Sequence, residues 1–286
     1  MDTRYLESFL EVVERGSLAA AARHLQLTPA AIAQRIDALE KEIGVGLLAR
    51  SGRVVRPTVA GGAVLDKART FLNDLRNLKS IAVGQTVVGE FRLGAVTTAL
   101  TGYVPQMLSR FMSSYPDVGV FIEPGTSREL FDQVRDDRLD VAMIVKPEFP
   151  LDKSLMFEPI ADEPFIVICK PDLAHRTAED LLTNEPLIRY DRGHWGGRLA
   201  DSYLLERKIK TTDRLELDSL EAIAVLVDRG LGVSLVPDWS NPWPAGLDVA
   251  KVKLQKGRPV RSIGLIWLKH SLRSATVQAF LRTRSS

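Results

Sequence analysis

The chain has 286 residues, of which 45% are apolar and 26% are charged, and its formal net charge is +2. This composition predicts a folded protein of about two domains and excludes a disordered one. The single cysteine excludes a disulfide framework and a multi-cysteine zinc site, and the four histidines lack metal-ligand spacing. No apolar run approaches the roughly 20 residues of a membrane span. Because no signal-like segment is found either, we expect a cytoplasmic location.

The charge is unevenly distributed along the chain. Residues 1–82 carry a formal charge of +3 and the remainder carries −1. Residues 43–65 contain no acid but include Arg50, Arg53 and Arg56. On charge alone, this segment is either a contact for an anionic partner or a solvated loop.

Three helices are predicted near the N-terminus. Residues 5–15 place their apolar side chains on one helical face, and residues 18–25 form a short, alanine-rich helix. After a tight connection, Thr28 caps a third helix that begins at Pro29 and ends before Gly44. This order is the helix-turn-helix arrangement, whose last helix enters the DNA major groove.

The DNA-facing side chains of the third helix are those that point away from its apolar face. The residues that point away are Thr28, Pro29, Ala30, Ala33, Gln34 and Asp37, and the first five are the predicted DNA-binding residues. We expect Thr28 and Gln34 to form hydrogen bonds and the alanines to contact thymine methyl groups.

A basic hairpin, or wing, is predicted after the third helix. Two short extended pieces meet around residues 51–52, and Arg50, Arg53 and Arg56 lie within or beside them. Arginines at this place suit phosphates or a narrow minor groove. The alternative interpretation is a generic three-helix domain that binds protein.

A longer spaced pattern covers about the first sixty residues. Its members are Phe9, Val12, Gly16, Ser17, Leu18, Ala21, Ala22, Leu25, Thr28, Ile36, Leu39, Glu40, Gly44, Leu47, Leu48, Arg50, Thr58 and Gly61. The pattern resembles the N-terminal domain of LysR-type transcriptional regulators, which implies a winged helix-turn-helix domain. With this resemblance, Thr58 joins the predicted DNA-binding residues. Pro29, Ala33 and Leu48 depart from the family's usual Gln, Ser and Phe. Because Pro29 and Ala33 lack side-chain hydrogen-bond donors, we expect base readout at the first turn to be altered or to shift to the wing and to DNA shape.

One long helix is predicted over residues 58–82. Leu65, Ala68, Leu72 and Leu75 recur at alternating spacings of three and four, and Phe71 widens the stripe. We interpret the stripe as a contact with a second subunit; packing onto the chain's own core is the alternative. The resemblance agrees, since the family dimerises through this linker helix, and we expect a homodimer that assembles further into a homotetramer.

The remaining residues alternate between strand-like and helical segments, which predicts a mainly parallel α/β sheet. The predicted strands cover residues 91–96, 118–123, 140–145, 165–169, 187–190, 232–236 and 262–268. The predicted helices cover residues 102–114, 127–136, 178–182, 197–208, 219–229 and 271–283.

Candidate effector-binding residues lie at polar junctions between strands and helices, where hydroxyl groups and free N–H groups bind anions. They are Thr97, Thr98, Thr101, Thr126, Ser127 and Asp218. The alternative is that these hydroxyls serve only as helix caps. A second set comes from residues 189–198, where Arg192, His194 and Trp195 could pair with a carboxylate or stack on a ring. No nucleophile or paired acid accompanies His194, so we predict no catalytic residue, no metal site and no cofactor.

The C-terminal residues resemble the effector-binding domain of the same regulators, most clearly over residues 220–237. The resemblance implies a two-lobed α/β domain like that of periplasmic solute-binding proteins. One lobe would comprise residues 88–161 and 264–286 and the other residues 162–263, with crossover strands near residues 159–164 and 261–263. The predicted division is 1–58 for DNA binding, 59–84 for the linker and 85–286 for the effector.

The combined prediction is a DNA-binding regulator and not an enzyme. Its partners are double-stranded DNA, further copies of itself and a small anionic or aromatic metabolite in the interlobe cleft. The alternative is a cytoplasmic small-molecule-binding module, or a small enzyme, with an incidental helix bundle.

Overall fold

The computed structural model describes residues 2–51, 54–82, 87, 89–240, 243–255, 257–271 and 273–284. The chain divides into two compact units, residues 1–89 and residues 90–286, called here the first unit and the second unit. In the described residues, no helix is long and apolar enough to cross a bilayer.

The first unit begins with the three predicted helices, α1 (Thr3–Arg15), α2 (Leu18–His24) and α3 (Pro29–Ile43). Helix α1 starts two residues earlier than predicted, because the carboxylate of Asp2 accepts a hydrogen bond from the backbone N of Arg4 at 2.9 Å. Thr28 caps α3 as predicted, with its hydroxyl oxygen 3.1 Å from the backbone N of Ala31.

A hairpin and a long helix complete the first unit. Strands β1 (Leu48–Ser51) and β2 (Val54–Pro57) pair antiparallel, and α4 spans Val59–Ala82. The start of α4 lies close to the backbone of Leu47: a Cβ atom on Gly61 would lie 2.0 Å from the carbonyl oxygen of Leu47. Only glycine fits at this contact.

The core of the first unit includes part of the predicted dimer stripe. Its buried residues include Leu6, Phe9, Val12, Ala21, Ala22, Ile32, Ile36, Leu39 and Leu47. Ala68 and Leu72 of α4 are each 3% exposed and belong to the same core, and Leu65 packs against it. The interpretation that Ala68 and Leu72 face a second subunit is therefore wrong. Phe71, on the other hand, is 48% exposed.

The second unit is an α/β structure. Its strands are β3 (Glu90–Ala95), β4 (Gly119–Pro124), β5 (Val141–Val145), β6 (Leu155–Cys169), β7 (Pro186–Tyr190), β8 (Thr212–Leu217), β9 (Ser234–Pro237), β10 (Ala250–Lys253) and β11 (Val260–Leu268). Its α-helices are α5 (Thr97–Gly102), α6 (Val104–Ser114), α7 (Ser127–Arg135), α8 (Ala178–Asn184), α9 (Trp195–Glu206), α10 (Leu220–Asp228) and α11 (Ser274–Leu281).

The sheets of the second unit are mixed, so the prediction of a mainly parallel sheet is wrong. The main sheet has the strand order β10-β6-β11-β5-β3-β4, with β9 also paired to β6, and β7 pairs with β8. Strand β3 is parallel to β4 and β5, and β7 is parallel to β8. Strand β11 runs antiparallel to both β5 and β6, and β9 and β10 run antiparallel to β6. Three of these four antiparallel pairs are formed by the long β6 with strands that come later in the chain.

Strand β6 connects two lobes. Its residues 155–164 pair with β11, whereas residues 165–169 pair with β9 and β10. Lobe one, as used below, contains β3–β5, α5–α7, residues 264–268 of β11, α11 and the β11-paired part of β6. Its rings Phe91, Phe111 and Phe280 pack together. Lobe two contains the rest of β6, β7–β10 and α8–α10, and has its own apolar clusters. Because β6 and β11 both run between the lobes, this strand pair forms the floor of the space between them.

Candidate functional site

The exposed face of α3 carries the predicted DNA-binding residues. Thr28, Pro29, Ala30 and Gln34 are exposed, and Ala33 is half-buried. Since the hydroxyl of Thr28 already caps the helix, Gln34 is the longest polar side chain that this set presents to solvent. The first turn of α3 thus offers a small apolar surface next to one amide group.

The hairpin lies beside this helical unit and is anchored to it. The backbone N of Val55 donates to the carbonyl oxygen of Gly16 at 2.9 Å. Arg56 is exposed on β2, Arg50 belongs to β1, and the predicted contact Arg53 lies outside the described residues.

Thr58 has an evident structural role. Its hydroxyl donates to the carbonyl oxygen of Gly46 at 2.8 Å and accepts from the backbone N of Gly61 at 3.0 Å. The side chain therefore joins the segment before β1 to the start of α4.

The second candidate site is a cleft of about 470 Å³ between the lobes of the second unit. The first turns of α5, α7, α9 and α10 meet there, at the ends of the strands that precede them. The structure brings together these sequence-predicted residues in the cleft lining: Thr97, Thr98, Thr126, Ser127, His194, Trp195 and Asp218. Tyr190, from the predicted segment 189–198, also lines it, whereas sequence reasoning missed Arg128, Glu129, Glu221 and Arg261.

Two predicted residues lie outside the cleft lining. Thr101 is in the second turn of α5, and its hydroxyl donates back to the carbonyl oxygen of Thr98 at 3.3 Å. The guanidinium group of Arg192 binds Glu216 through two bonds of 3.0 and 2.7 Å. This pair lowers the pKa of Glu216 to about 2. Arg192 therefore points towards β8, which carries its ion-pair partner Glu216.

Arg261 lies at the cleft floor and is only 2% exposed. Its Nε donates to Oε2 of Glu163 at 2.7 Å, and its Nη2 donates to the hydroxyl of Thr98 at 3.1 Å. Glu163 is also 2% exposed, and it accepts from the hydroxyl of Tyr103 at 3.1 Å. Burial and the Glu163 charge raise the pKa of Tyr103 to about 12. A single arginine within the apolar run 260–268 was the available sequence signal.

The helix starts at the cleft differ in their caps. Thr126 caps α7 in a capping box with Glu129, and Ser219 caps α10. Helices α5 and α9 have no side-chain cap. The hydroxyl of Ser127 accepts from the backbone N of Val145 at 3.1 Å, so its proton remains for another acceptor. Some predicted hydroxyls therefore have structural roles, while backbone N–H groups of α9 are left for a ligand.

Acidic side chains outnumber basic ones in the cleft lining. The basic residues of the lining are Arg128 and Arg261, and the acidic residues are Glu129, Asp218 and Glu221. The charge of Arg261 is already compensated by Glu163. The cleft is thus a polar site of mixed charge, and no single strong positive patch dominates it.

Trp195 contacts lobe one although it belongs to α9 of lobe two. Its ring centroid lies 5.9 Å from that of Phe131 and 5.6 Å from that of Phe149, and both pairs meet edge to face. Trp195 is 5% exposed. Its ring is therefore largely covered by protein rather than open for stacking on a ligand.

Metal and thiol chemistry have little support in the described residues. No group of three or more His, Cys, Asp or Glu side chains there could hold a metal ion. Cys169 is fully buried, and burial raises the pKa of its thiol. A thiol in this setting is mostly protonated and weakly reactive.

Comparisons with known proteins agree with this architecture. Residues 3–62 match the family model of the bacterial regulatory helix-turn-helix protein, lysR family, and residues 84–283 match that of the LysR substrate binding domain. The transcriptional activator CmpR of Synechocystis is 29% identical over 262 residues, covering 87% of this chain and 85% of CmpR. The dual regulator OxyR of Escherichia coli is 26% identical over 276 residues, covering 93% and 89%.

Solved structures are similar over almost the entire chain. A Corynebacterium glutamicum OxyR C206 mutant has a TM-score of 0.62 at 28% identity, covering 99% of this chain and 91% of that one. Full-length CbnR in complex with its target DNA has a TM-score of 0.73 at 24% identity, covering 99% and 100%, which shows the common fold.

These matches decide between the alternatives left by the sequence. An incidental helix bundle is excluded because the helix-turn-helix family model itself matches residues 3–62. The matching families and relatives are transcriptional regulators and not enzymes. The chain belongs to the LysR family of bacterial DNA-binding transcriptional regulators, with an N-terminal winged helix-turn-helix and a C-terminal two-lobed effector-binding domain.

Proposed function

We propose that the first turn of α3 reads bases while the hairpin holds the DNA backbone. The observation that carries this proposal is the exposure of the α3 start in a unit that also carries a basic hairpin. The base-facing set is Thr28, Pro29, Ala30, Ala33 and Gln34, and Arg50, Arg53 and Arg56 contact phosphates or the minor groove. Thr58, whose hydroxyl has two protein partners, contributes by fixing the hairpin.

The proposed division of labour follows the chain. Residues 1–58 bind DNA, 59–84 join subunits, and 85–286 bind the effector in the cleft between residues 88–161 with 264–286 and residues 162–263. The protein acts inside the cell, where the DNA is.

Replacing Arg56 with alanine tests the role of the hairpin. We expect weaker binding to all DNA sequences and a salt dependence whose slope falls by about 1, because one phosphate contact is lost. The measurement is a gel-shift titration at several salt concentrations, on a duplex selected from random DNA by the protein itself. Arg135→Ala, an exposed arginine of the second unit, is the matched control and should bind as the wild type does. An unchanged slope in Arg56→Ala would contradict the phosphate contact.

The proposed assembly is a homodimer through α4 that pairs further into a homotetramer. Exposed Phe71 on α4 supports a subunit contact at that helix. In the second unit, β4 and β8 are mostly exposed, and Phe121, Ile122 and Leu215 on them are 51%, 40% and 40% exposed. Exposed edge strands with apolar side chains are typically covered by a partner. A dimer would present two α3 helices to two DNA half-sites.

The effector we propose is a small metabolite with an anionic group or an aromatic ring, bound in the interlobe cleft. A cavity of about 470 Å³ lies in the size range of metabolite sites. The uncapped start of α9 and the hydroxyls of Thr98 and Ser127 offer donors to an anionic group. An effector that binds one lobe arrangement more tightly shifts the population toward it, and thereby alters DNA binding.

A melting screen with metabolites tests the effector site. A compound at about 100 times its dissociation constant stabilises the native state by about 2.7 kcal/mol, so it raises the melting temperature. We expect His194→Ala, which changes the cleft lining without removing a helix cap, to reduce that rise. His175→Ala, an exposed histidine outside the lining, should respond as the wild type does. A hit that is equally stabilising in all three proteins binds elsewhere and contradicts this site.

A further inference from the structure

Trp195 occupies an unusual place between the lobes. The apolar cluster that surrounds it consists otherwise of lobe-one residues, among them Phe131, Leu139 and Ile266. Trp195 is the described member of this cluster that comes from lobe two, at the first residue of α9. A large aromatic side chain of one lobe is thus buried in the apolar core of the other.

Lobe one supplies two rings to this contact. Phe131 projects from α7 and is 8% exposed, whereas Phe149 lies in the loop between β5 and β6 and is 45% exposed. The centroids of Phe131 and Phe149 are 5.4 Å apart, and all three rings meet edge to face, an attractive geometry for aromatic pairs.

The start of α9 is held firmly against lobe two. A Cβ atom on Gly197 would lie 1.8 Å from the carbonyl oxygen of Asp191, and one on Gly196 would lie 2.8 Å from the Tyr190 ring. The glycines let the first turn of α9 pack directly on the end of β7. Trp195 therefore moves with lobe two, and its contact with the phenylalanines depends on the lobe arrangement.

We propose that Trp195, Phe131 and Phe149 form an aromatic latch that holds the two lobes in the arrangement described here. Trp195 also lines the cleft as the first residue of the uncapped helix α9, so a ligand bound by the backbone N–H groups there lies next to the residue that joins the lobes. This role of the latch rests on the proposed effector site. With a ligand in the cleft, Trp195 acts as a positioning residue through which ligand binding changes the arrangement of the lobes.

Distance measurements between spin labels test the latch without any effector. The labels are attached at Arg135→Cys in lobe one and Glu206→Cys in lobe two, both exposed positions. Cys169, the only native cysteine, is fully buried and leaves the labelling selective. The labelled full-length protein is mixed with an excess of unlabelled protein, so that distances within one chain dominate the signal.

We expect one narrow distance distribution in the parent protein, and a broader one shifted to other distances in Trp195→Ala and Phe149→Ala. Phe149 is outside the cleft lining and nearly half exposed, so its removal weakens the latch while the fold and the cleft remain. Met112→Ala, which removes an apolar side chain that is 52% exposed on α6, is the matched control and should leave the distribution unchanged.

The two proposals fail in different measurements. A distribution that stays narrow and unshifted in a folded Phe149→Ala protein would overturn the latch, whatever the melting screen finds. A melting screen in which no compound acts through His194 would count against the effector site, while the distance measurement would still decide on the latch.

Discussion

Arg261→Met is expected to lower the free energy of unfolding of the second unit by about 3–5 kcal/mol. The substitution removes the partner of Glu163, a carboxylate that is 2% exposed, and leaves its charge buried without compensation. Urea unfolding followed by tryptophan fluorescence measures the loss. The four tryptophans lie at residues 195–267, so the signal reports on the second unit alone.

A double variant separates the pair from the packing around it. Arg261→Met combined with Glu163→Met buries no charge, and we expect it to recover a large part of the lost stability. Thr98 and Tyr103 would lose their hydrogen bonds to Arg261 and Glu163, but both are neutral groups, so no charge is left buried without compensation. A single variant that loses less than about 1 kcal/mol would behave like an exposed ion pair, and would contradict the burial of this pair.

Phe9→Ala is expected to destabilise the first unit by about 3–5 kcal/mol and to abolish DNA binding. Phe9 is fully buried in the core that positions α3, and its removal leaves a cavity where α1 meets the other helices. Thermal unfolding followed by far-ultraviolet circular dichroism measures the stability, and a gel shift measures the binding.

Two controls accompany this prediction. Glu7→Ala changes an exposed residue of the same helix and should retain both stability and DNA binding. The fluorescence-detected unfolding of the second unit should be unchanged in Phe9→Ala, because no tryptophan lies in the first unit. Full DNA affinity in Phe9→Ala would contradict the dependence of the α3 surface on this core.

The helices of the first unit were predictable because their signals are local. The hydroxyls of Ser17 and Thr28 form the predicted caps, and Gly44 ends α3 with a φ of +86°. The packing partner of the apolar stripe of α4 could not be predicted in this way. A helical stripe shows that a face is buried but not what buries it, and α1 covers Ala68 and Leu72 from within the chain.

Strand pairing in the second unit was less accessible. Strands β8 and β10 were missed because polar, exposed residues make up most of β8 and half of β10, so neither has the apolar run that indicates a buried strand. The antiparallel return of β11 depends on a partner, β6, that lies about a hundred residues earlier. No local pattern carries such a pairing.

The residues of the cleft could also be predicted only in part. Residues at the starts of helices, such as Thr98, Ser127 and Asp218, could be predicted because the rule for α/β sheets places ligands there. The role of Arg261 depends on a carboxylate 98 positions away, and that of Trp195 on rings of the other lobe. Their chemistry arises from long-range packing, which a single sequence does not display.

The pairing of β6 with β11 also bears on how the protein folds as it is synthesised. The first unit is complete once residue 89 has left the ribosome, so its helices can pack early. Lobe one, in contrast, begins at β3 but lacks its neighbour β11 and the ring of Phe280 until residues 260–281 have been made. Throughout that interval β5 and the first part of β6 remain without β11. During this interval the nascent chain carries a folded first unit and an incompletely folded second unit. This is the period in which chaperones have most to protect.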